Sequence, residues 1–146
     1  MTSAIRRLAL ASVAVAALTA GAASAQTLTM GVIAGPESID PHFTATGTHA
    51  EALKHVFDTL THSGDQLQIE PGLAESWTIV NPTTWEFRLR RGVKFHDGSD
   101  MTAEDVAASI RRMQVLTGPN PTSIYVRRVR EVQIVDPHTL RVVTDG

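Results

Sequence analysis

The sequence of 146 residues has no cysteine. A disulfide scaffold and a Cys-ligated structural zinc are therefore excluded, and the fold must rest on a packed core of its own or on further chain. No internal repeat, low-complexity tract or long run of like charge occurs, and the length limits the chain to about one domain. Acids are missing from residues 1–25, where Arg6 and Arg7 are the only charges. An apolar stretch from Leu8 to Ala20 follows them and leads to Ala23-Ser24-Ala25, the small-x-small form that signal peptidase cuts. This predicts a secretory leader over 1–25, cleaved after Ala25. Its apolar run falls short of the roughly twenty residues of a permanent membrane helix, and no second such run follows. No Cys follows the cleavage site to carry a lipid anchor, so the expected location is the periplasm. The whole chain has a formal charge of −2, and loss of Arg6 and Arg7 leaves eleven bases against fifteen acids, or −4. An acidic mature chain makes nucleic acid a poor partner.

Within 26–146, Leu28, Met30 and Val32 alternate with Thr27, Thr29 and Gly31, which predicts a strand ending at Ala34-Gly35-Pro36. Thr48 and Glu51 have capping-box spacing ahead of Leu53, Val56, Phe57 and Leu60, predicting a helix that stops at Ser63-Gly64. The turn cluster Asn81-Pro82-Thr83-Thr84 separates a segment over 72–80 from the alternating Trp85, Phe87 and Leu89, which reads as a hairpin. Asp97-Gly98 turns the chain, and Thr102 caps a second helix with Glu104 and Asp105 in its first turn and Val106, Ile110 and Met113 facing inward. Gly118-Pro119-Asn120-Pro121 is a break. Val132 and Ile134, a turn at Asp136-Pro137-His138-Thr139, and Leu140, Val142 and Thr144 predict a closing hairpin whose last strand is an uncovered edge, as in a truncated product. The fold class is α/β.

Few residue groups suggest chemistry. Glu51, His55, Asp58 and His62 would share one face of the first predicted helix, where a metal-ligating arrangement is geometrically conceivable. No zincin spacing is present, and a solvated polar face is the preferred reading. His96, Asp97, Ser99 and Asp100 are hydrolase residue types, but their closeness in sequence and their mismatch to a calcium loop favour a turn and cap. Arg127, Arg128 and Arg130 lack interleaved aromatics and read as a solvated strand edge. Trp77 and Trp85 flank the hairpin turn and are expected in the core. No catalytic residue and no metal site is assigned.

From Leu73 the chain reads Ala74-Glu75-Ser76-Trp77, then Trp85-Glu86-Phe87-Arg88-Leu89-Arg90-Arg91-Gly92-Val93-Lys94-Phe95-His96-Asp97-Gly98, then Thr102-Ala103-Glu104-Asp105-Val106. This order closely resembles the family 5 solute-binding proteins, the extracytoplasmic receptors of bacterial ABC importers for peptides, opines, nickel and oligosaccharides. Ser38-Ile39-Asp40-Pro41-His42, Phe57-Asp58-Thr59-Leu60 and Pro71-Gly72-Leu73 resemble it in the same order. The resemblance implies an incomplete, type II-like architecture. Residues 26–146 would be the amino-terminal part of one lobe of a two-lobe periplasmic binding protein. The acidic residue that meets a peptide's amino group in the family belongs to the later chain.

Open α/β sheets bind ligand beyond the carboxyl ends of their strands, which points to the loop after the first predicted strand. Ala34, Gly35, Pro36 and Glu37 occupy it, where glycine would allow close backbone approach to an extended peptide. A plain strand-to-loop turn is the alternative. The expected function is non-enzymatic capture of a peptide or similar small solute by a monomeric receptor, without cofactor, for delivery to membrane-embedded ABC permease subunits. A small standalone secreted interaction domain and a secreted metal-dependent hydrolase are the rivals.

Overall fold

The computed structural model describes residues 27–29, 31–118 and 120–146. The predicted leader and its cleavage site lie outside the described residues. Residues 32–146 form one unit, in which the elements run α1 (Gly47–Leu53), β1 (Thr61–Ser63), β2 (Ile69–Pro71), β3 (Ala74–Asn81), β4 (Thr84–Leu89), α2 (Ala103–Val115), α3 (Ser123–Val126), β5 (Val129–Asp136) and β6 (Thr139–Thr144). Four strands make an antiparallel sheet of order β3-β4-β6-β5, and β1 with β2 forms a separate antiparallel pair.

Register decides which side chains are buried, because partners directly opposite share a face. Trp77 lies opposite Phe87 and Ile79 opposite Trp85, while Trp85 faces Val142, Phe87 faces Leu140, and Val132 and Ile134 face those two in turn. One face of the sheet is thus apolar across all four strands. The other carries the cross-strand pair Glu86 and Arg141, joined at 2.8 Å. The core gathers at one end of the apolar face, where Ala74, Leu89, Met101, Ala103 and Leu140 are buried. Toward the hairpin tip, Ile79 is 61% exposed.

Helix α2 covers the buried end with Ala103, Ala107 and Ile110, while Val106 and Met113 are partly buried. The expected inner face is borne out. The expected cap is also present: the Thr102 amide and hydroxyl both donate to Asp105 Oδ2, at 2.8 and 3.1 Å. The Ala103 amide donates to Pro137 O at 2.8 Å and so ties the helix start to the β5–β6 turn.

Three expectations are corrected. No strand occupies the described residues of 27–32. The alternation there defines two faces, but none of the described strands pairs with it. Helix α1 begins after Thr46 and ends at Leu53, so Thr48 is not its cap, and Glu51 pairs with Lys54 at 2.7 Å. His49 and Leu53, one turn apart, are its buried side chains, whereas Val56 is 58% exposed and offers no packing to prolong it. Strand β6 is not an edge: it lies between β4 and β5 with ladders on both sides, and the edges of the sheet are β3 and β5.

Candidate functional site

Ala34, Gly35, Pro36 and Glu37 form an exposed, irregular stretch with no strand before it among the described residues. The carboxyl-end argument that singled them out therefore lacks its strand, and the antiparallel sheet below has no shared carboxyl edge. A side chain added at Gly35 would meet nothing within 4 Å, so its backbone is open to approach.

The helical metal face does not form. Glu51 lies in α1, His55 and Asp58 follow it, and His62 belongs to β1. Asp58 and His62 instead line a cleft of about 300 Å³ with Gly72, Leu73, Arg90 and Val93. The Arg90 guanidinium, which donates to Gly72 O at 3.2 Å, places a positive charge where a cation would have to sit. Among the described residues no three His, Asp or Glu side chains converge as metal ligands.

The segment 96–100 is a turn. Asp97 Oδ1 accepts from the Ser99 hydroxyl at 2.6 Å and its amide at 2.9 Å, and these bonds hold the carboxyl below its usual range. Gly98 has φ +89°, a conformation that glycine adopts without strain. Lys94 pairs with Asp100 at 2.7 Å across the base of the loop. Asp97, Ser99 and Asp100 are thus engaged in shaping the turn. Arg128 likewise pairs with Asp145 at 3.0 Å on the solvated side of the sheet end. Trp77 and Trp85 lie diagonally on the apolar face, but only Trp77 is half-buried, and Trp85 is exposed and does not reach the expected place in the core.

A constellation not foreseen as a unit joins Asp40, His42, Ser109 and Arg112. Ser109 and Arg112 are three residues apart and share a face of α2. Arg112 grips Asp40 in bidentate fashion, Nη1 to Oδ1 at 2.9 Å and Nη2 to Oδ2 at 2.5 Å. The Arg112 hydrogen bond is the main reason that the Asp40 carboxyl is held down to about 2. Arg112 Nη1 also lies 2.8 Å from His42 Nδ1, and Ser109 Oγ lies 3.2 Å from His42 Nε2. Guanidinium can only donate, so Nδ1 is the acceptor and the neutral ring carries its proton on Nε2, directed at Ser109. Burial first, then the Arg112 charge, pushes the His42 ring below its ordinary value, with Asp40 opposing. The arrangement inverts a nucleophile–base–acid relay, because a cation stands where an orienting carboxylate would have to be. Its chemistry is attachment: Thr122 Oγ1 donates to His42 O at 2.9 Å, the Ala45 amide to Asn120 O at 2.8 Å, and His49 Nε2 to Asp40 O at 2.9 Å. Asp40-Pro41-His42 is visible in sequence, but nothing in sequence links it to Arg112.

Comparison with known proteins agrees with the fold. The family model described as "Bacterial extracellular solute-binding proteins, family 5 Middle" matches residues 68–146. YhjP of Bacillus subtilis, itself uncharacterized, is 32% identical over 109 residues, covering 74% of this chain and 19% of that protein. The periplasmic oligopeptide-binding protein OppA of Haemophilus influenzae is 33% identical over 81 residues, which are 55% of this chain and 15% of OppA. The crystal structure of that OppA with the peptide RPPGFSPFR superposes with a TM-score of 0.70 at 26% identity, covering 77% of this chain and 26% of the other. NikZ of Campylobacter jejuni in complex with Ni(L-His) gives 0.65 at 25% identity, with coverage of 73% and 21%. The chain thus spans about a fifth of the length of these relatives. The family match begins before β2 and takes in the whole four-stranded sheet with α2, so the part of the molecule that carries its core is also the part that classifies it: the chain belongs to the bacterial extracellular solute-binding proteins of family 5.

Proposed function

We propose that this protein is the substrate-binding component of an ABC importer and captures a peptide or a similar small solute in the periplasm. The observation that carries the reading is the superposition of its sheet and helices on a receptor holding a peptide. Binding proteins of this family are not enzymes, and the polar groups described above shape turns and attachments. No helix among the described residues is long and apolar enough to cross a membrane. In this reading residues 1–25 are a leader removed after Ala25, and residues 26–146 are the first part of one lobe of a monomeric receptor. A second lobe closes on the ligand because the closed form binds it better than the open one. The closed receptor then delivers the solute to permease subunits. Ala34, Gly35, Pro36 and Glu37 are the proposed ligand-facing residues, supported by their exposure and by the open space over Gly35.

The test is the intact mass of the native protein in an osmotic-shock fraction, detected with antibody against residues 26–146, together with the mass of any co-purifying small molecule. A species several times longer than 146 residues that carries a peptide or a chelated metal is the expected result. A periplasmic species no longer than this chain would exclude capture between two closing lobes.

A further inference from the structure

The Asp40, His42, Ser109 and Arg112 cluster is the only attachment of residues 38–53 to α2 for which described hydrogen bonds exist. We propose that it is an acid-released latch, in which protonation of His42 detaches the segment carrying Asp40 and α1 from helix α2. The geometry supplies the mechanism. In the neutral ring Nδ1 accepts from Arg112 Nη1 at 2.8 Å. A proton taken from solvent converts that nitrogen to a donor, so two donors and two positive charges then face each other across the same gap. The Asp40 carboxylate, already gripped by Arg112, is the one anion that acts on the ring, and it cannot serve both cations with the same geometry.

Every group around the ring enters this balance. From its own segment the ring meets Asp40, whose Oδ1 also accepts the His42 amide at 3.0 Å. Helix α2 presents Arg112 and Ser109, of which only the first is charged. Thr122, from the turn before α3, holds the His42 carbonyl and does not titrate. His49 bonds the Asp40 carbonyl through Nε2, and its buried Nδ1 has no hydrogen-bond partner. Burial and the Arg112 charge hold His42 neutral and place its protonation below its ordinary 6.5.

Amide hydrogen exchange on the full native protein between pH 7.5 and pH 4.5 tests the latch. The β5–β6 amides in the same sample correct for the intrinsic pH dependence of exchange. Protection of the Ala45 amide, which is bonded to Asn120 O, is expected to fall by about tenfold or more relative to β5–β6 below pH 6.5. His42→Gln keeps an acceptor for Arg112 but cannot titrate, and its Ala45 protection is expected to stay level. Constant protection in the wild type, or an equal acid loss in His42→Gln, overturns the proposal. Should His42→Gln fail to fold, the ¹⁵N spectrum of the wild-type imidazole at pH 7.5 decides: a proton on Nε2 is required, and a proton on Nδ1 overturns the latch.

Discussion

Leu67 is the one non-glycine residue with positive φ among the described residues, at +63°, and it is 86% exposed. It closes the loop between β1 and β2, where the Leu67 amide donates to Gly64 O at 2.9 Å. A leucine there bears the steric cost of left-handed backbone without any return from burial. Asparagine tolerates that conformation, so Leu67→Asn is expected to stabilise the protein by about 0.5–1 kcal/mol in chemical denaturation. A loss of stability would show that the strain is not relieved. Asp40 allows a second prediction. Its carboxyl is held at about 2, below its ordinary 3.8, so the native state binds fewer protons than the unfolded one. This group's stabilisation is fully present above about pH 3.8 and disappears as pH falls through about 2. Asp40→Asn should therefore lower the denaturation midpoint at pH 5 and reduce its fall between pH 4 and pH 2. An acid limb as steep as that of the wild type would show that Asp40 does not carry it. The sequence displays Asp40-Pro41-His42, but the partner that sets its chemistry is Arg112, 72 positions away. No local pattern encodes a distance of that kind.

Elements that carry their own periodicity or their own cap are legible in the sequence. The β3–β4 and β5–β6 hairpins follow from alternation interrupted by turn residues, and α2 follows from Thr102 and Asp105 with its spaced apolar residues. The boundaries of α1 were not legible, because Val56 and Phe57 continue the helical period while no described neighbour buries them. The β1–β2 pair was missed for a related reason: its three-residue strands are too short to show a period, and their position depends on a crossing at Gly72. There the Leu73 amide donates to Thr59 O and the Ala74 amide to Leu60 O, both at 2.9 Å, which brings the backbones together. A Cβ at Gly72 would stand 2.4 Å from Thr59 O, a backbone atom that cannot step aside. Gly72→Ala is accordingly expected to cost about 2 kcal/mol, with the loss of hydrogen-exchange protection concentrated at Leu73 and Ala74. An unchanged midpoint would mean that the crossing widens freely.

For the unit as a whole, burial is uneven. The apolar face of the sheet is sealed at Leu89 and Leu140, each 1% exposed or less, but Ile79 and Val80 near the β3–β4 turn are 61% and 49% exposed. Val115 and Tyr125, on α2 and α3, are 76% and 70% exposed. These side chains leave apolar surface open to solvent on this unit. Family membership was legible in the sequence because its motifs, between Ala74 and Val106, include buried Ala74, Leu89 and Ala103 of the core. The proposed ligand-facing stretch has no such support, since no contact or periodicity fixes residues 34–37. Residues 26–146 prepared alone are therefore expected to bind a hydrophobic dye and to melt broadly, with slow exchange confined to β4, β6 and their neighbours in the sheet. A single sharp transition without dye binding would show that this core suffices, favouring a standalone exported domain over a part of a lobe. The spatial pattern of exchange adds a further discrimination. If the exposed side chains of the sheet await a covering, protection should decline from Leu89 toward Trp85 along β4, because Leu89 lies in the buried cluster and Trp85 does not.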